Sequence, residues 1–147
     1  MPDSATQVEV TRTFDAPREQ VFQAWTDPDQ IVEWWGPEHF HVPLDSVNVD
    51  LRQGGRYDLT MVDPGNNEYP VRQEILEVST PELLVLRHEP VPEHGLLEAI
   101  DTRVEFHEEN GGTRVRVTGG PYSAEMGPNA QQGWEQQFDK LERLLSA

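Results

Sequence analysis

Apolar residues at every second position predict a β-strand over residues 7–14 at the start of the chain. Val8, Val10 and Phe14 fall on one face of this strand, together with Arg12, while polar residues occupy the opposite face. Such an alternation is typical of a strand that is half exposed to solvent.

Two short helices are predicted after this strand, because capping acids stand beside prolines at two places. Asp15-Ala16-Pro17 begins the first helix, Thr26-Asp27-Pro28-Asp29 begins the second, and Gly36-Pro37 ends the second. Their apolar residues are Val21, Phe22, Trp25, Ile31, Val32, Trp34 and Trp35. Helices this short cannot bury their aromatic side chains against each other alone, so they require a curved apolar partner.

From residue 39 onward the apolar spacing changes to a period of two, which predicts about six further strands. These strands are predicted over residues 47–51, 57–61, 69–78, 82–88, 100–107 and 113–118. Turn residues separate them at Gly54-Gly55, 63–67, Thr80-Pro81 and Asn110-Gly111. Asn-Gly is the strongest short hairpin signal, so the last two strands are expected to pair with each other.

A final amphipathic helix is predicted over residues 129–145. Its apolar stripe consists of Trp134, Phe138, Leu141 and Leu145. Strands followed by one long helix are typical of an α+β fold. We expect a curved antiparallel sheet of six or seven strands around this helix, with a space for a small apolar ligand between them. The chain is predicted to be a single domain, 1–147, with a flexible tail over residues 1–6.

The charge of the chain narrows the classes of partner. Acidic residues outnumber basic ones by 27 to 11, which gives a formal net charge of −16. This balance argues against binding nucleic acid through its phosphates and against docking on an anionic membrane. No apolar run approaches the ~18 residues of a membrane span, and no signal peptide is recognisable. We therefore expect a cytoplasmic protein, in keeping with its lack of cysteine.

Several segments resemble one branch of the SRPBCC (START/Bet v 1-like) superfamily, the branch similar to the carboxy-terminal domain of the Hsp90 ATPase activator. The matching segments are Arg12-Thr13-Phe14-Asp15-Ala16-Pro17, Val21-Phe22, Ala24-Trp25-Thr26-Asp27-Pro28, Trp34-Trp35-Gly36-Pro37, Gly54-Gly55-Arg56-Tyr57, and Gly133-Trp134 with Leu141. The resemblance spans residues 8–145 and implies a helix-grip fold, in which a bent antiparallel sheet grips the terminal helix around a cavity. Members of the superfamily bind lipids, sterols, polyketides or other apolar molecules, and a few catalyse cyclisation or related steps.

Three functions are compatible with this fold. We favour binding of a small hydrophobic or amphipathic ligand in the cavity, without a cofactor, by a monomer or a homodimer. The alternatives are a cyclase- or hydrolase-like enzyme that uses the same cavity, and a protein-interaction module whose partner is a chaperone. The predicted wall residues are Trp35, Phe40, Tyr57, Leu59, Met61, Ile75, Leu86, Val104, Trp134 and Phe138. Neighbours on a helix point about 100° apart, so either Trp34 and Trp35 both pack in the core or one of them closes the cavity rim.

His88 is the candidate for a catalytic base, but the sequence leaves its orientation open. Leu84 and Leu86 share its side of the predicted strand, whereas Leu83 and Val85 make the other side equally apolar. The imidazole faces the cavity only if the first pair of leucines points inward.

Other polar residues give weaker signals. His39 and His41 stand two residues apart on a presumed strand, which places both on one face. A zinc site needs a third protein ligand, and no other histidine stands at a motif spacing, so no metal site is predicted. The strand carboxylates Asp58 and Glu74 have the parity opposite to apolar neighbours, so both are expected to face solvent.

Overall fold

The computed structural model describes residues 6–36, 38–92, 98–122 and 126–146. The strands are β1 (Thr6–Phe14), β2 (Asn48–Val49), β3 (Tyr57–Val62), β4 (Glu68–Val71), β5 (Gln73–Ser79), β6 (Leu83–His88), β7 (Ile100–Glu109) and β8 (Gly112–Tyr122). The helices are α1 (Arg18–Thr26), α2 (Pro28–Trp34) and α3 (Met126–Leu145), and a short 3₁₀ helix, Leu44–Ser46, precedes β2. Of the tail predicted over residues 1–6, all but Thr6 lies outside the described residues, and Thr6 is the first residue of β1.

The strands form two antiparallel sheets. In the larger sheet they lie in the order β1-β8-β7-β6-β5, and in the smaller sheet in the order β2-β3-β4. The predicted hairpin joins β7 to β8 through Asn110 (φ 52°) and Gly111 (φ 84°), which both adopt the left-handed conformation that a two-residue hairpin turn favours. Phe106 lies opposite Val115 across this ladder, and both side chains are buried. The inner face of the larger sheet is therefore an apolar surface against which the helices pack.

The strand predicted over residues 69–78 is broken at Arg72, where the chain passes from the smaller sheet to the larger one. β4 pairs with β3, whereas β5 pairs with β6. Beside the break, the Asp58 carboxylate accepts the N–H of Gln73 at 2.9 Å. The Arg72 carbonyl accepts the N–H of Glu89 at 2.9 Å, so backbone groups that leave the ladders are still satisfied. The α+β fold with a long terminal helix is confirmed, with eight described strands in two sheets instead of six or seven in one.

The strand predicted over residues 47–51 is reduced to the two residues of β2. The chain turns immediately afterwards, because the N–H of Arg52 donates to the Asp50 carbonyl and the N–H of Gly55 donates to the Arg52 carbonyl. A Cβ atom on Gly55 would lie 2.0 Å from the Asp50 carbonyl oxygen. The predicted Gly54-Gly55 turn is thus confirmed, and it requires a glycine at its second position.

The two short helices begin in different ways. Pro17 caps α1 in an extended conformation without a side-chain hydrogen bond, so the acid that the sequence suggested as a cap is not used. At α2, the Asp27 carboxylate accepts the N–H of Asp29 at 3.1 Å, and Pro28 occupies the first turn as predicted. The second helix therefore carries the capping signal that was read from the sequence, and the first does not.

The chain leaves α2 at Trp35, so the two adjacent tryptophans point in different directions. Trp35 is extended (φ −70°, ψ 142°), and Gly36 is left-handed (φ 92°). The predicted end of the helix is confirmed at Gly36, whereas Pro37 lies outside the described residues. Trp34 remains in the helix and is fully buried.

Trp25 stands at the centre of an aromatic core that joins the short helices to α3. Its ring centroid lies 4.6 Å from that of Trp34 and 5.8 Å from that of Trp134, on which it stacks at 19°. Phe106 of β7 meets it edge to face at 5.9 Å. The Trp34 indole N–H donates to the Ala24 carbonyl at 2.9 Å, so this buried donor is satisfied. Each such aromatic pair adds about 0.5–1.5 kcal/mol beyond area burial, which fixes the short helices on the sheet.

α3 lies against β1 and the end of α2 on the inner side of the larger sheet. Phe138 meets Phe14 of β1 edge to face at 5.5 Å, and the Gln137 side-chain oxygen accepts the N–H of Gly36 at 2.7 Å. The predicted terminal helix is confirmed, with about one further turn at its amino terminus. Among the described residues, no helix is both long and apolar enough to cross a membrane.

Candidate functional site

A cavity of about 280 Å³ lies between the amino-terminal half of α3 and the two sheets. Its apolar lining residues are Trp35, Met61, Val71, Ile100, Ala130, Gly133 and Trp134. Its polar lining residues are Gln73, His88, Thr102, Tyr122, Asn129 and Gln137. These residues come from six strands, from α3 and from the end of α2. The fold as a whole therefore builds the cavity.

Trp35 and Trp134 form an aromatic wall of this cavity. Their ring centroids are 5.8 Å apart and their planes meet at 73°. Both pack on the fully buried Trp25, at 6.0 and 5.8 Å, so the core holds the wall in place. Of the two arrangements predicted for the adjacent tryptophans, the structure shows the one in which Trp34 packs in the core and Trp35 borders the cavity.

One face of α3 forms another wall. Ala130, Gly133, Trp134 and Gln137 line the cavity. They stand at positions i, i+3, i+4 and i+7 along the chain, which brings them to one side of the helix. A Cβ atom added to Gly133 would meet no atom within 4 Å, so packing does not require a glycine there. Glycine inside a helix costs about 0.5–1 kcal/mol relative to alanine, and at this position it leaves space in the cavity.

Two polar side chains of the wall are held in defined orientations. The Gln137 oxygen accepts the N–H of Gly36, so the amide NH₂ group of Gln137 is turned away from this bond. The Trp134 indole N–H is directed at the Tyr122 hydroxyl oxygen. Burial raises the pKa of Tyr122 and outweighs the lowering effect of this N–H, so the phenol keeps its proton at neutral pH.

His88 lies on the cavity side of β6. Leu84 and Leu86, which share its side of the strand, are 0% and 1% exposed, whereas Arg87 on the other side faces solvent. Its Nδ1 atom lies 2.6 Å from the Glu89 carbonyl oxygen, which can only accept, so we assign the ring proton to Nδ1. Burial lowers the pKa of His88 below its ordinary value of 6.5, so at neutral pH Nε2 carries a lone pair and no proton.

The predicted wall residues fall into three groups. Trp35, Met61 and Trp134 line the cavity. Tyr57, Leu59, Ile75, Leu86, Val104 and Phe138 are buried in the core beneath it. Phe40 lies in a separate cleft, where its ring centroid is 5.7 Å from that of Tyr69. Contact of any of these residues with a ligand stays a prediction.

Sequence reasoning identified His88 but missed the other polar lining residues. Gln73, Thr102 and Gln137 are 4%, 6% and 7% exposed and occupy positions where the local period favours an apolar residue. A polar residue at a position where an apolar one is expected is the signal that could have identified these three residues. Tyr122 lies beyond the predicted end of its strand. The apolar lining residues that were missed are Val71, Ile100, Ala130 and Gly133.

The histidine pair suggested by the sequence is not on a strand. His39 adopts a left-handed conformation (φ 73°) within a turn, and His41 forms an isolated bridge with Val62. Both side chains are exposed. Within the described ranges, no three or more side chains of His, Asp or Glu are grouped so that they could hold a metal ion.

One of the two strand carboxylates departs from its prediction. Glu74 is exposed as expected, but the Asp58 side chain is only 15% exposed. It accepts hydrogen bonds from Arg56 at 3.0 and 3.2 Å and from the N–H of Gln73 at 2.9 Å. Asp58 therefore joins β3 to the start of β5, which explains its partial burial.

Solved structures with the same fold cover almost the whole chain. Protein CV1439 from Chromobacterium violaceum is 21% identical, with a TM-score of 0.86 over 96% of this chain and 97% of that one. Protein Ms6760 from Mycobacterium smegmatis is 25% identical, with a TM-score of 0.79 over 99% and 97% of the two chains. The AHSA1 (SPO3351) protein from Silicibacter pomeroyi is 22% identical, with a TM-score of 0.81 over 96% and 98%. No curated protein matches this sequence.

A family model extends this similarity to the sequence itself. The model described as Activator of Hsp90 ATPase homolog 1-like protein matches residues 15–146. That range contains every residue described above as lining the cavity. It also confirms the resemblance that was read from Trp34-Trp35-Gly36-Pro37 and the other segments. The chain therefore belongs to the family of Activator of Hsp90 ATPase homolog 1-like proteins.

Proposed function

We propose that this protein binds a small hydrophobic or amphipathic molecule in the cavity between α3 and the sheets. The observation that supports this function is the cavity itself, about 280 Å³ of space lined by two tryptophans, smaller apolar residues and a few polar groups. Its volume is close to the lower end of the ~300–1,000 Å³ typical of small-molecule sites. The ligand is accordingly expected to be small, about the size of two or three rings.

Burial of apolar surface on Trp35 and Trp134 provides the driving force. Removing apolar surface from water contributes about 25 cal/mol per Å². Both indoles already pack on Trp25, so they lose little conformational freedom when a ligand arrives. The wall is therefore arranged for binding before the ligand is present.

The test is a titration with N-phenylnaphthylamine, an uncharged dye whose fluorescence rises in apolar surroundings. We expect saturable binding to the wild-type protein. Gly133→Leu introduces a side chain where a Cβ meets no atom within 4 Å, so it should fill part of the cavity. The affinity for the dye should then fall about tenfold or more, which corresponds to about 1.4 kcal/mol.

The matched control is Gln132→Leu, which introduces the same side chain at the neighbouring, exposed position of α3. Equal dye affinity in both variants, with unchanged circular dichroism, would reject the cavity as the binding site. Absence of saturable binding to the wild type would reject the function for ligands of this size. Native mass spectrometry of freshly purified protein should reveal the natural ligand as an added mass that Gly133→Leu lacks.

A cyclase- or hydrolase-like enzyme is the second candidate, because His88 adds a neutral imidazole to a largely apolar wall. A general base requires this combination of position and protonation state. The molecules that co-purify with the wild type and with His88→Gln should then differ as product and precursor. Recovery of the same molecule from both proteins would exclude a catalytic role of His88.

Association with a chaperone is the remaining alternative. This alternative predicts a cavity filled by the protein's own side chains and an exposed apolar or acidic patch outside it, so the space in the cavity supports a small ligand instead. A pull-down with the host's Hsp90-type chaperone separates the two functions. Enrichment that persists in Gly133→Leu would support the interaction module, and no enrichment would exclude that partner.

A further inference from the structure

We infer that the cavity selects uncharged ligands that carry a hydroxyl group, which donates a hydrogen bond to Nε2 of His88. This inference rests on the proposed function and adds the chemical class of the ligand. It follows from the lack of charge in the described walls, from the tautomer of His88, and from the donors that Tyr122 and Gln137 present.

The described walls of the cavity are uncharged although the chain is strongly acidic. The sequence holds 27 acidic and 11 basic residues, yet none of the described residues that line the cavity is Asp, Glu, Lys or Arg. His88 is neutral at neutral pH because burial lowers its pKa. Moving an ion from water into such surroundings is strongly unfavourable unless a counter-charge meets it. A neutral ligand avoids this penalty.

The backbone contact of His88 decides which ligand group the ring can meet. The Glu89 carbonyl accepts a hydrogen bond from the Nδ1–H group, so Nε2 is left as an acceptor. Nε2 has no hydrogen-bond partner in the described part of the chain. A ligand hydroxyl would satisfy this acceptor, whereas an ether oxygen would place one lone pair against another.

Tyr122 and Gln137 present the complementary groups. The phenol of Tyr122 is protonated, so its O–H is available as a donor. The Gln137 oxygen is occupied by the N–H of Gly36, so its NH₂ group is also left as a donor. Neither donor group has a hydrogen-bond acceptor among the described residues. The cavity thus offers one acceptor and two donors, which suits a neutral ring compound with a hydroxyl group and a second oxygen.

The experiment is equilibrium dialysis of the full chain with four probes that share one ring system: naphthalene, naphthol, methoxynaphthalene and naphthoate. Naphthol should bind about threefold to tenfold more tightly than methoxynaphthalene, the range expected for one neutral hydrogen bond. Naphthoate should bind most weakly, because its carboxylate finds no counter-charge. Naphthalene measures the apolar contribution alone.

Variants of His88 assign the preference to its ring. His88→Leu should abolish the preference for naphthol over methoxynaphthalene, which is a ratio of two affinities measured on the same variant. His88→Gln keeps a carbonyl acceptor and should restore part of the preference. The matched control is His107→Gln, since His107 is exposed and its Nε2 contacts Glu105 at 2.9 Å away from the cavity.

The outcomes separate this inference from the function on which it rests. If naphthalene binds but naphthol and methoxynaphthalene bind equally, the inference is overturned and ligand binding stands. A preference for naphthol that survives in His88→Leu also overturns it, as does naphthoate as the tightest ligand. If none of the four probes binds, both the inference and the proposed function for ligands of this size are rejected.

Discussion

The two halves of α3 differ in how they meet the sheet, although they belong to one continuous helix. In the carboxy-terminal half, Phe138 and Leu141 are fully buried and fill the space towards β1. In the amino-terminal half, Ala130 and Gly133 leave a cavity in front of them. Trp134 marks the boundary, because it both packs on the core and lines the cavity.

This difference shows that small residues on the amino-terminal half of α3 leave part of the space that forms the cavity. An apolar space without partner atoms forfeits dispersion contacts along its walls. The packed half offsets this loss, and Arg12 of β1 adds ion pairs to it at 2.7–3.3 Å. The three carboxylates it contacts belong to Glu135, Asp139 and Glu142. One half of the helix thus anchors the element, and the other half borders the cavity.

The largest effect is expected when the packed half is opened. Phe138→Ala removes a fully buried ring that contacts Phe14 and Trp134. It should lower the free energy of unfolding by about 3–5 kcal/mol, as measured by urea denaturation. Gln132→Ala on the exposed side of α3 is the control and should change it by less than about 0.5 kcal/mol. A loss below about 1 kcal/mol in Phe138→Ala would show that this half is not tightly packed.

The second effect concerns the anchor of the packed half. Arg12 is 23% exposed and its partners are about half exposed, so water screens each ion pair. Arg12→Gln should lower the free energy of unfolding by about 1–2 kcal/mol, because three carboxylates on one helix face then lack a counter-charge. Arg87→Gln is the matched control, since it breaks one exposed pair with Asp101. Equal losses of stability in both variants would show that the three ion pairs of Arg12 contribute no more than one exposed ion pair.

The sequence predicted the packed core and the hairpin better than it predicted the cavity. Spacing placed Phe138 and Leu141 on a buried stripe and Asn110-Gly111 in a hairpin, because local spacing determines which face of an element is apolar. Local spacing also explains why the break at Arg72 was missed. Residues 69–78 keep the period of a strand while the chain passes from one sheet to the other.

The cavity was harder to predict because it depends on distances between elements that are remote in sequence. Leu59 and Met61 share one face of β3, but only Met61 reaches the cavity, and Leu59 packs in the core. The alternation of residues predicts which face of a strand a side chain lies on. It does not predict how far along that face the packed core extends before the cavity begins. Gln73 and Thr102 come together with α3 only in the folded chain, so no local pattern places them in one site.

Gly133→Ala tests the cavity-lining half of α3, because it should change stability and binding in opposite directions. Alanine is favoured over glycine inside a helix by about 0.5–1 kcal/mol, and the free energy of unfolding should rise by that amount. The added methyl group meets no atom within 4 Å, so it should take space from N-phenylnaphthylamine and weaken its binding. Urea denaturation and dye titration measure the two effects, with Gln132→Ala as the control for helix propensity. Tighter dye binding in Gly133→Ala would contradict the role assigned to this glycine.

The smallest effect concerns His88. Its titration should make stability depend on pH at the cavity, and no such dependence is expected from the packed carboxy-terminal half of α3. Burial lowers the pKa of His88 below its ordinary value of 6.5, so the unfolded chain takes up the proton at a higher pH than the folded protein does. The contribution of His88 to stability is therefore present above pH 6.5 and is lost as the pH falls towards the folded pKa. The neighbouring Glu89, which pairs with Arg56 at 3.0 Å, opposes this shift, and Tyr122 stays protonated throughout the range.

Comparing the wild type with His88→Gln isolates this titration from those of the other ionisable groups. As the pH falls through 6.5, the wild type should lose stability relative to the variant. The affinity of the folded wild type for naphthol should fall at a lower pH, as the pH passes through the lowered folded pKa of His88, because a protonated Nε2 no longer accepts a hydrogen bond. Phe138→Leu in the packed half should follow the pH dependence of the wild type. A difference between wild type and His88→Gln that does not change with pH would mean that folding leaves the His88 ring as solvated as in the unfolded chain, and the imidazole could not then serve as a buried acceptor.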